Sequence, residues 1–298
     1  MRGGTLIAKE IELINAAMLL RRPLLVSGKP GSGKSSLAYS LAFELQLGRI
    51  LRWPITSRST LRDGLYRYDA IGRLHEAGRQ VGMFGDSRAD RRGPDSQPST
   101  DDIGSGTSRL PEIGRFLQLG PLGTALLPYK HPRVLLIDEI DKSDIDFPND
   151  LLNILEDGEF EIPELARLPA AQREVEVRTD DPDGAAFVTA GRVQCSAFPI
   201  IVLTSNGERE FPPAFRRRCI QINLAEPDLP ALQRIISAQL GPESTAASER
   251  LVEYFLRQKN QRTIATDQLL NAIYLRMSGE LPDRLRDGIL RPIDGSDG

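Results

Sequence analysis

The sequence predicts an α/β protein in which strands and helices alternate around a parallel sheet, followed by a small helical segment. Three observations carry this prediction. A short apolar run, Pro23-Leu24-Leu25-Val26-Ser27, passes through a glycine-rich loop into a helix-like stretch. A second run, Val134-Leu135-Leu136-Ile137, is continuously aliphatic, as a strand buried on both faces should be, and ends in Asp138-Glu139. Beyond Glu226-Pro227-Asp228-Leu229-Pro230 the strand patterns stop and apolar residues recur at helical spacing.

In chain order, Ile7 to Leu20 reads as a helix leading into the first strand. The loop that follows, Gly28 to Ser35, reads G-K-P-G-S-G-K-S and fits the phosphate-loop pattern G-x-x-x-x-G-K-S. Glycines at 28, 31 and 33 permit left-handed backbone angles and let N–H groups approach phosphate oxygens. Lys34 supplies charge to the β- and γ-phosphates, and the Ser35 hydroxyl is a ligand for Mg²⁺. Gly28, Pro30, Gly31, Ser32, Gly33, Lys34, Ser35 and Ser36 are therefore the expected nucleotide contacts. Leu37, Leu41 and Leu45 repeat along the next helix, with Tyr39 and Phe43 off that stripe, which suits packing on more than one side.

Further strands are expected near Ile50–Trp53, Phe198–Ser205 and Ile220–Asn223. Asp138, at a strand's carboxyl end, is placed to hold Mg²⁺ through water, and Glu139 to polarise an attacking water. Residues 85–108 contain one bulky aliphatic, Ile103, and are expected to form a mobile loop. From Glu174 to Ala197 the alternation in Val175-Glu176-Val177-Arg178 and Phe187-Val188-Thr189, with Asp181-Pro182-Asp183-Gly184 between, predicts a β-hairpin.

These residues resemble the AAA+ ATPases and, within them, the MoxR-like group. The likeness covers about residues 5–280. It is closest over Leu135-Leu136-Ile137-Asp138-Glu139-Ile140-Asp141-Lys142 and the following 149–161, and includes Gly120-Pro121-Leu122-Gly123-Thr124-Ala125-Leu126-Leu127. The resemblance implies a P-loop three-layer α/β/α sandwich over 1–225, a helical lid over 226–290 and a frayed tail at 291–298. Gly28–Ser36 is then the Walker A segment and Asp138-Glu139 the Walker B pair. It also implies that Asn206 is sensor 1, orienting the attacking water. Arg217 or Arg218, within Phe211 to Cys219, becomes an arginine finger acting in a neighbouring subunit. The lid departs from the family's pattern. Its third helix starts near Thr266-Asp267, where the family places a sensor 2 arginine, and Arg262 is the nearest candidate. ATP and Mg²⁺ are the implied cofactors. A ring of copies, a hexamer, and a protein client or von Willebrand factor A domain partner are the implied associates. Metal-chelatase motors share the architecture.

Composition narrows the alternatives. A net charge of −3 and no basic stripe argue against nucleic acid as the partner. Two cysteines without C-x-x-C, and no apolar run near the ~18 residues that span a bilayer, fit a cytoplasmic protein. His75 and His131 lack metal-ligand spacing, and Trp53 and Tyr129 read as packing residues.

Overall fold

The structure is a computed structural model and describes residues 8–89, 113–259, 266–278 and 289–290. Strands run in chain order as β1 Leu24–Ser27, β2 Leu51–Pro54, β3 Tyr66–Tyr68, β4 Leu117–Leu119, β5 Val134–Asp138, β6 Glu159–Glu161, β7 Glu174–Arg178, β8 Ala185–Thr189, β9 Arg192–Gln194, β10 Ile200–Ser205 and β11 Ile220–Asn223. Helices are α1 Ala8–Leu20, α2 Lys34–Glu44, α3 Leu61–Leu65, α4 Ala70–Ala89, α5 Pro121–Ala125, α6 Phe147–Asp157, α7 Pro163–Ala166, α8 Pro213–Arg218, α9 Leu229–Leu240, α10 Glu243–Lys259 and α11 Thr266–Met277. The chain divides into two compact units: 1–59, 129–157 and 197–298 form one, and 60–128 with 158–196 form the other.

The first unit holds a parallel five-stranded sheet in the order β11-β1-β10-β5-β2. β5 and β10 are buried at every position, which explains their unbroken aliphatic runs. β2 lies at the edge, so it tolerates Pro54 and alternates buried Leu51 and Trp53 with exposed Arg52 and Pro54. α1 and α2 contribute Ile14, Ala17, Leu37, Ala38, Leu41 and Ala42 to a core shared with Leu24, Val26, Leu136, Val202 and Ile222.

The buried face of α2 is one stripe, so the expected packing on several sides does not hold. Tyr39, Phe43 and Leu45 are exposed, and the helix stops at Glu44 before Leu45. The leucine spacing was legible. The small residues Ala38 and Ala42, which let the helix lie close to the sheet, decide which flank is covered. Trp53 is a packing residue, edge-on to Phe147 at a centroid distance of 5.5 Å, whereas His75 and His131 are exposed.

Within the same unit, α9, α10 and α11 close around Leu232, Ile236, Leu251, Val252, Phe255, Leu269 and Ile273. Asp228 caps α9 by accepting from the Ala231 N–H at 2.9 Å, and a proline follows in its first turn. Arg262 and the tail from 291 lie outside the described residues.

The second unit corrects the reading of one sheet through residue 225. It contains a separate six-stranded sheet, β3-β4-β7-β8-β9-β6, antiparallel except where β4 meets β7. Its strands are short: β3, β4, β6 and β9 have three residues each, too few to show a period in sequence. β7 and β8 pair over five residues around the turn at Asp181–Gly184. Gly123 sits where an added Cβ would meet the Leu65 carbonyl oxygen at 1.9 Å, so α5 packs against α3 only with glycine there. The helical segment belongs to the first unit, with the parallel sheet.

Residues 85–89, expected to begin a loop, instead end helix α4; the rest of that loop from 90 to 108 lies outside the described residues. One glycine does not stop a helix, and the first proline of the segment comes only at Pro94.

The cysteines provide a check on the packing. Burial pushes the Cys219 thiol up to about 12, with Arg22 opposing weakly, whereas Cys195 is only partly buried. A thiol reagent at pH 8 should modify Cys195 and reach Cys219 only on unfolding. Equal labelling rates by mass spectrometry would contradict this packing.

Candidate nucleotide site

The site forms at the carboxyl ends of β1, β10 and β5, where parallel α/β sheets place ligands. Register brings the ends together: Ser27 pairs with Ser205, and Leu203 pairs with Ile137, so Thr204 lies beside Asp138. Between β1 and α2 the loop turns on Gly31 at φ 76° and Gly33 at φ 90°, left-handed angles that favour glycine. Gly33 caps α2, so the free N–H groups of the helix's first turn face the loop.

Lys34 folds back across this loop. Its Nζ donates to the carbonyl oxygens of Gly28 at 2.8 Å and Lys29 at 3.0 Å. Burial lowers its pKa, and the nearby carboxylates of Asp141, Glu139 and Asp138 only partly offset that. Ser32 Oγ is buried and has no hydrogen-bond partner among the described residues, as suits a hydroxyl that donates to a phosphate. Pro30 and Gly31 are exposed and Ser36 is half-buried. Lys29 is 70% exposed and pairs with Glu226 at 2.7 Å.

Asp138 is the centre of the polar network. Its Oδ1 accepts from Ser35 Oγ and Thr204 Oγ1, both at 2.8 Å, and its Oδ2 accepts from the Arg52 guanidinium at 2.7 Å. Burial pushes this carboxyl up, but the hydrogen bonds from Arg52, Thr204 and Ser35 outweigh it and hold it below the ordinary carboxylate range.

Glu139 adopts φ 61° and ψ 50°, a left-handed conformation that costs a non-glycine residue roughly 1–2 kcal/mol. Its N–H donates to Thr204 Oγ1 at 2.8 Å, and its carbonyl accepts from the Lys142 N–H at 3.0 Å. The turn thrown by this conformation aims the side chain away from the strand. One carboxylate oxygen accepts from Lys142 Nζ at 2.7 Å and the other from Asn206 Nδ2 at 3.4 Å.

Asp141 fixes the Asn206 segment from below. It is buried, and its Oδ2 collects donors from Asn206 N at 2.8 Å, Ser205 Oγ at 3.0 Å and Glu208 N at 3.2 Å. Asp141→Ala would strand these three donors and should lower unfolding free energy by about 3 kcal/mol, measurable by denaturant titration.

The structure thus joins Lys34, Ser35, Asp138, Glu139 and Asn206 in one site. Arg217 and Arg218 do not enter this network. Both are exposed on the short helix α8, where Arg218 pairs with Glu156 of α6. Sequence reasoning missed Arg52, Thr204, Asp141 and the Lys142 pairing. Thr204 was findable, because it precedes Asn206 by two residues in a strand-end segment and so shares its face. Arg52 carried the weaker sign of a charge inside an apolar strand.

A glycine-cradled helix N-terminus beside an acidic strand end defines a P-loop nucleotide-binding fold. The chain belongs to the AAA domain family, in its dynein-related subfamily, whose model matches residues 23–219. Among solved structures it is similar to NtrX from Brucella abortus in complex with ATP, at 15% identity and a TM-score of 0.42, over all of this chain and 57% of that one. It is also similar to the closed state of Hsp104 with ATPγS and FITC casein, at 17% identity and a TM-score of 0.38, over 94% of this chain and 43% of that one. No curated protein matches. Among the described residues no helix is long and apolar enough to cross a membrane.

Proposed function

We propose that this chain is a Mg²⁺-dependent ATPase of the MoxR-like type, working as a ring-forming remodeller of partner proteins. The observation that carries the ATPase reading is the convergence of Ser35, Asp138, Glu139 and Asn206 at the mouth of the phosphate loop.

The donor set fits magnesium. Among the described residues no group of three or more His, Cys, Asp or Glu side chains is arranged to hold a metal ion on its own. Magnesium needs no such cage, since it keeps several waters and takes phosphate oxygens plus one or two protein ligands. The Ser35 hydroxyl and the Asp138 carboxylate, 2.8 Å apart, are hard oxygen donors of the right kind. Held by Ser35 and Asp138, Mg²⁺ would supply positive charge against the negative charge that develops on the phosphates.

The protein's own residues supply the rest. The first-turn N–H groups of α2 and the Ser32 hydroxyl bind phosphate oxygens, and Lys34 exchanges its loop carbonyls for the β/γ-phosphates. The Glu139 carboxylate accepts a proton from the attacking water, and the Asn206 amide orients that water. Arg217 or Arg218 of a neighbouring copy stabilises the transferring phosphoryl group. The likeness to MoxR-like proteins supports a hexameric ring, a cytoplasmic setting and a protein client or von Willebrand factor A domain partner.

The trans arrangement has a direct test. A chain carrying Arg217→Ala and Arg218→Ala keeps its nucleotide site, and a Lys34→Ala chain keeps its arginines. Each alone should be inactive, and mixing them should restore part of the Mg²⁺-ATP turnover. No recovery in co-assembled mixtures would remove the arginines from the mechanism.

A further inference from the structure

The pairing of Arg52 with Asp138 has no part in the scheme above, yet it occupies that scheme's metal ligand. Oδ1 of Asp138 is taken by the hydroxyls of Ser35 and Thr204, so Oδ2 is the oxygen left to face a cation or its water shell. The Arg52 guanidinium already donates to that oxygen at 2.7 Å.

The fold places Arg52 there by register. Pro54 pairs with Asp138 and Arg52 with Leu136 along β2 and β5, so Arg52 and Asp138 share a sheet face two residues, roughly 7 Å, apart. Leu51 and Trp53 occupy the opposite, buried face, and Trp53 is wedged against Phe147, which fixes the pleat of the strand. The Arg52 side chain is 56% exposed, so water can take its place beside the guanidinium.

Each carboxylate at the strand end has a cation: Lys142 for Glu139 and Arg52 for Asp138. Lys142 leaves the phosphate loop untouched. Arg52 and a divalent ion, in contrast, bring like charge to one carboxylate and repel.

We infer that Arg52 competes with the divalent cation for Asp138 and so sets the Mg²⁺ concentration at which nucleotide becomes tightly held. This rests on the Mg²⁺-nucleotide reading of the site and adds a tuning residue to it. Arg52 is a positioning residue, acting through Asp138 without touching substrate. A permanently charged guanidinium suits the task, since it pairs with the carboxylate at any physiological pH.

The test is a Mg²⁺ titration of fluorescent-ATP binding, which reads affinity and not turnover, on the wild type, Arg52→Gln, Arg52→Met and Arg52→Lys. Arg52→Gln and Arg52→Met should reach half-maximal binding at about fivefold lower Mg²⁺, the factor that roughly 1 kcal/mol of a half-exposed ion pair represents. Arg52→Lys, which keeps the charge, should stay near the wild type, and binding in excess chelator should be the same in all four. In an Asp138→Asn background the difference made by Arg52→Gln should vanish. An unchanged or higher Mg²⁺ requirement in both neutral variants overturns the competition. Wild-type binding that ignores Mg²⁺ altogether would instead defeat the underlying reading of the site.

Discussion

Glu139→Gln is expected to bind ATP as tightly as the wild type and to hydrolyse it about 100-fold more slowly or worse, the usual yield of a lost general base. The substitution keeps the size of the side chain and an oxygen for Asn206 or Lys142. It changes the one property the proposed chemistry needs, an acceptor for the water's proton. The backbone should not respond, because the left-handed turn is held by main-chain contacts to Thr204 and Lys142 and by no part of the carboxylate. A fluorescent-ATP binding curve beside a phosphate-release assay separates the two effects. Weakened binding with proportionate loss of turnover would assign Glu139 to nucleotide affinity and not to the chemical step.

Lys34→Ala should weaken nucleotide binding by roughly 10- to 100-fold, the factor that about 1.5–3 kcal/mol of charge-assisted hydrogen bonding represents. Calorimetric titration reads this directly. The same side chain makes a prediction for stability with the opposite sense. Burial holds the folded-state pKa of Lys34 below its unfolded value, near 10.4 for lysine, so the unfolded chain binds more protons in that window. Stability contributed by this group therefore rises as pH climbs from the folded pKa toward the unfolded one. Lys34→Met should remove that rise while leaving the protein at least as stable at neutral pH. A lysine that only stabilises its loop would show a loss of stability at every pH.

Legibility in the sequence followed the length of each signal. The phosphate loop carries fixed residue types at fixed spacing because only glycine tolerates its turns, so Gly28 to Ser35 could be read outright. Asp138-Glu139 could be read because burial on both faces forces an aliphatic run before it. Asn206 meets Glu139 in space for the same reason, each being the first residue past a buried strand. Of the second sheet only the β7–β8 hairpin was legible, because the three-residue strands around it contain no full period and gain their order from partners distant in sequence, such as Glu159 with Gln194. Arg52, Asp141 and Lys142 were missed for another reason. Their roles arise from register and from the left-handed turn at Glu139, and neither is written in any local run of residues. The arginines at 216–218 show the limit from the other side, since three identical neighbours on an exposed helix give no local means of choosing among them.

The central claim is that one site, built from the phosphate loop and the acidic strand end, binds and hydrolyses ATP with Mg²⁺. Phosphate release by the wild-type chain, followed with ATP across a series of protein concentrations with Mg²⁺ or with excess chelator, tests it most directly. Mg²⁺-dependent release that rises per chain as the protein assembles and disappears in chelator is the expected result. ATP bound tightly at every concentration with no phosphate released in Mg²⁺ would contradict it.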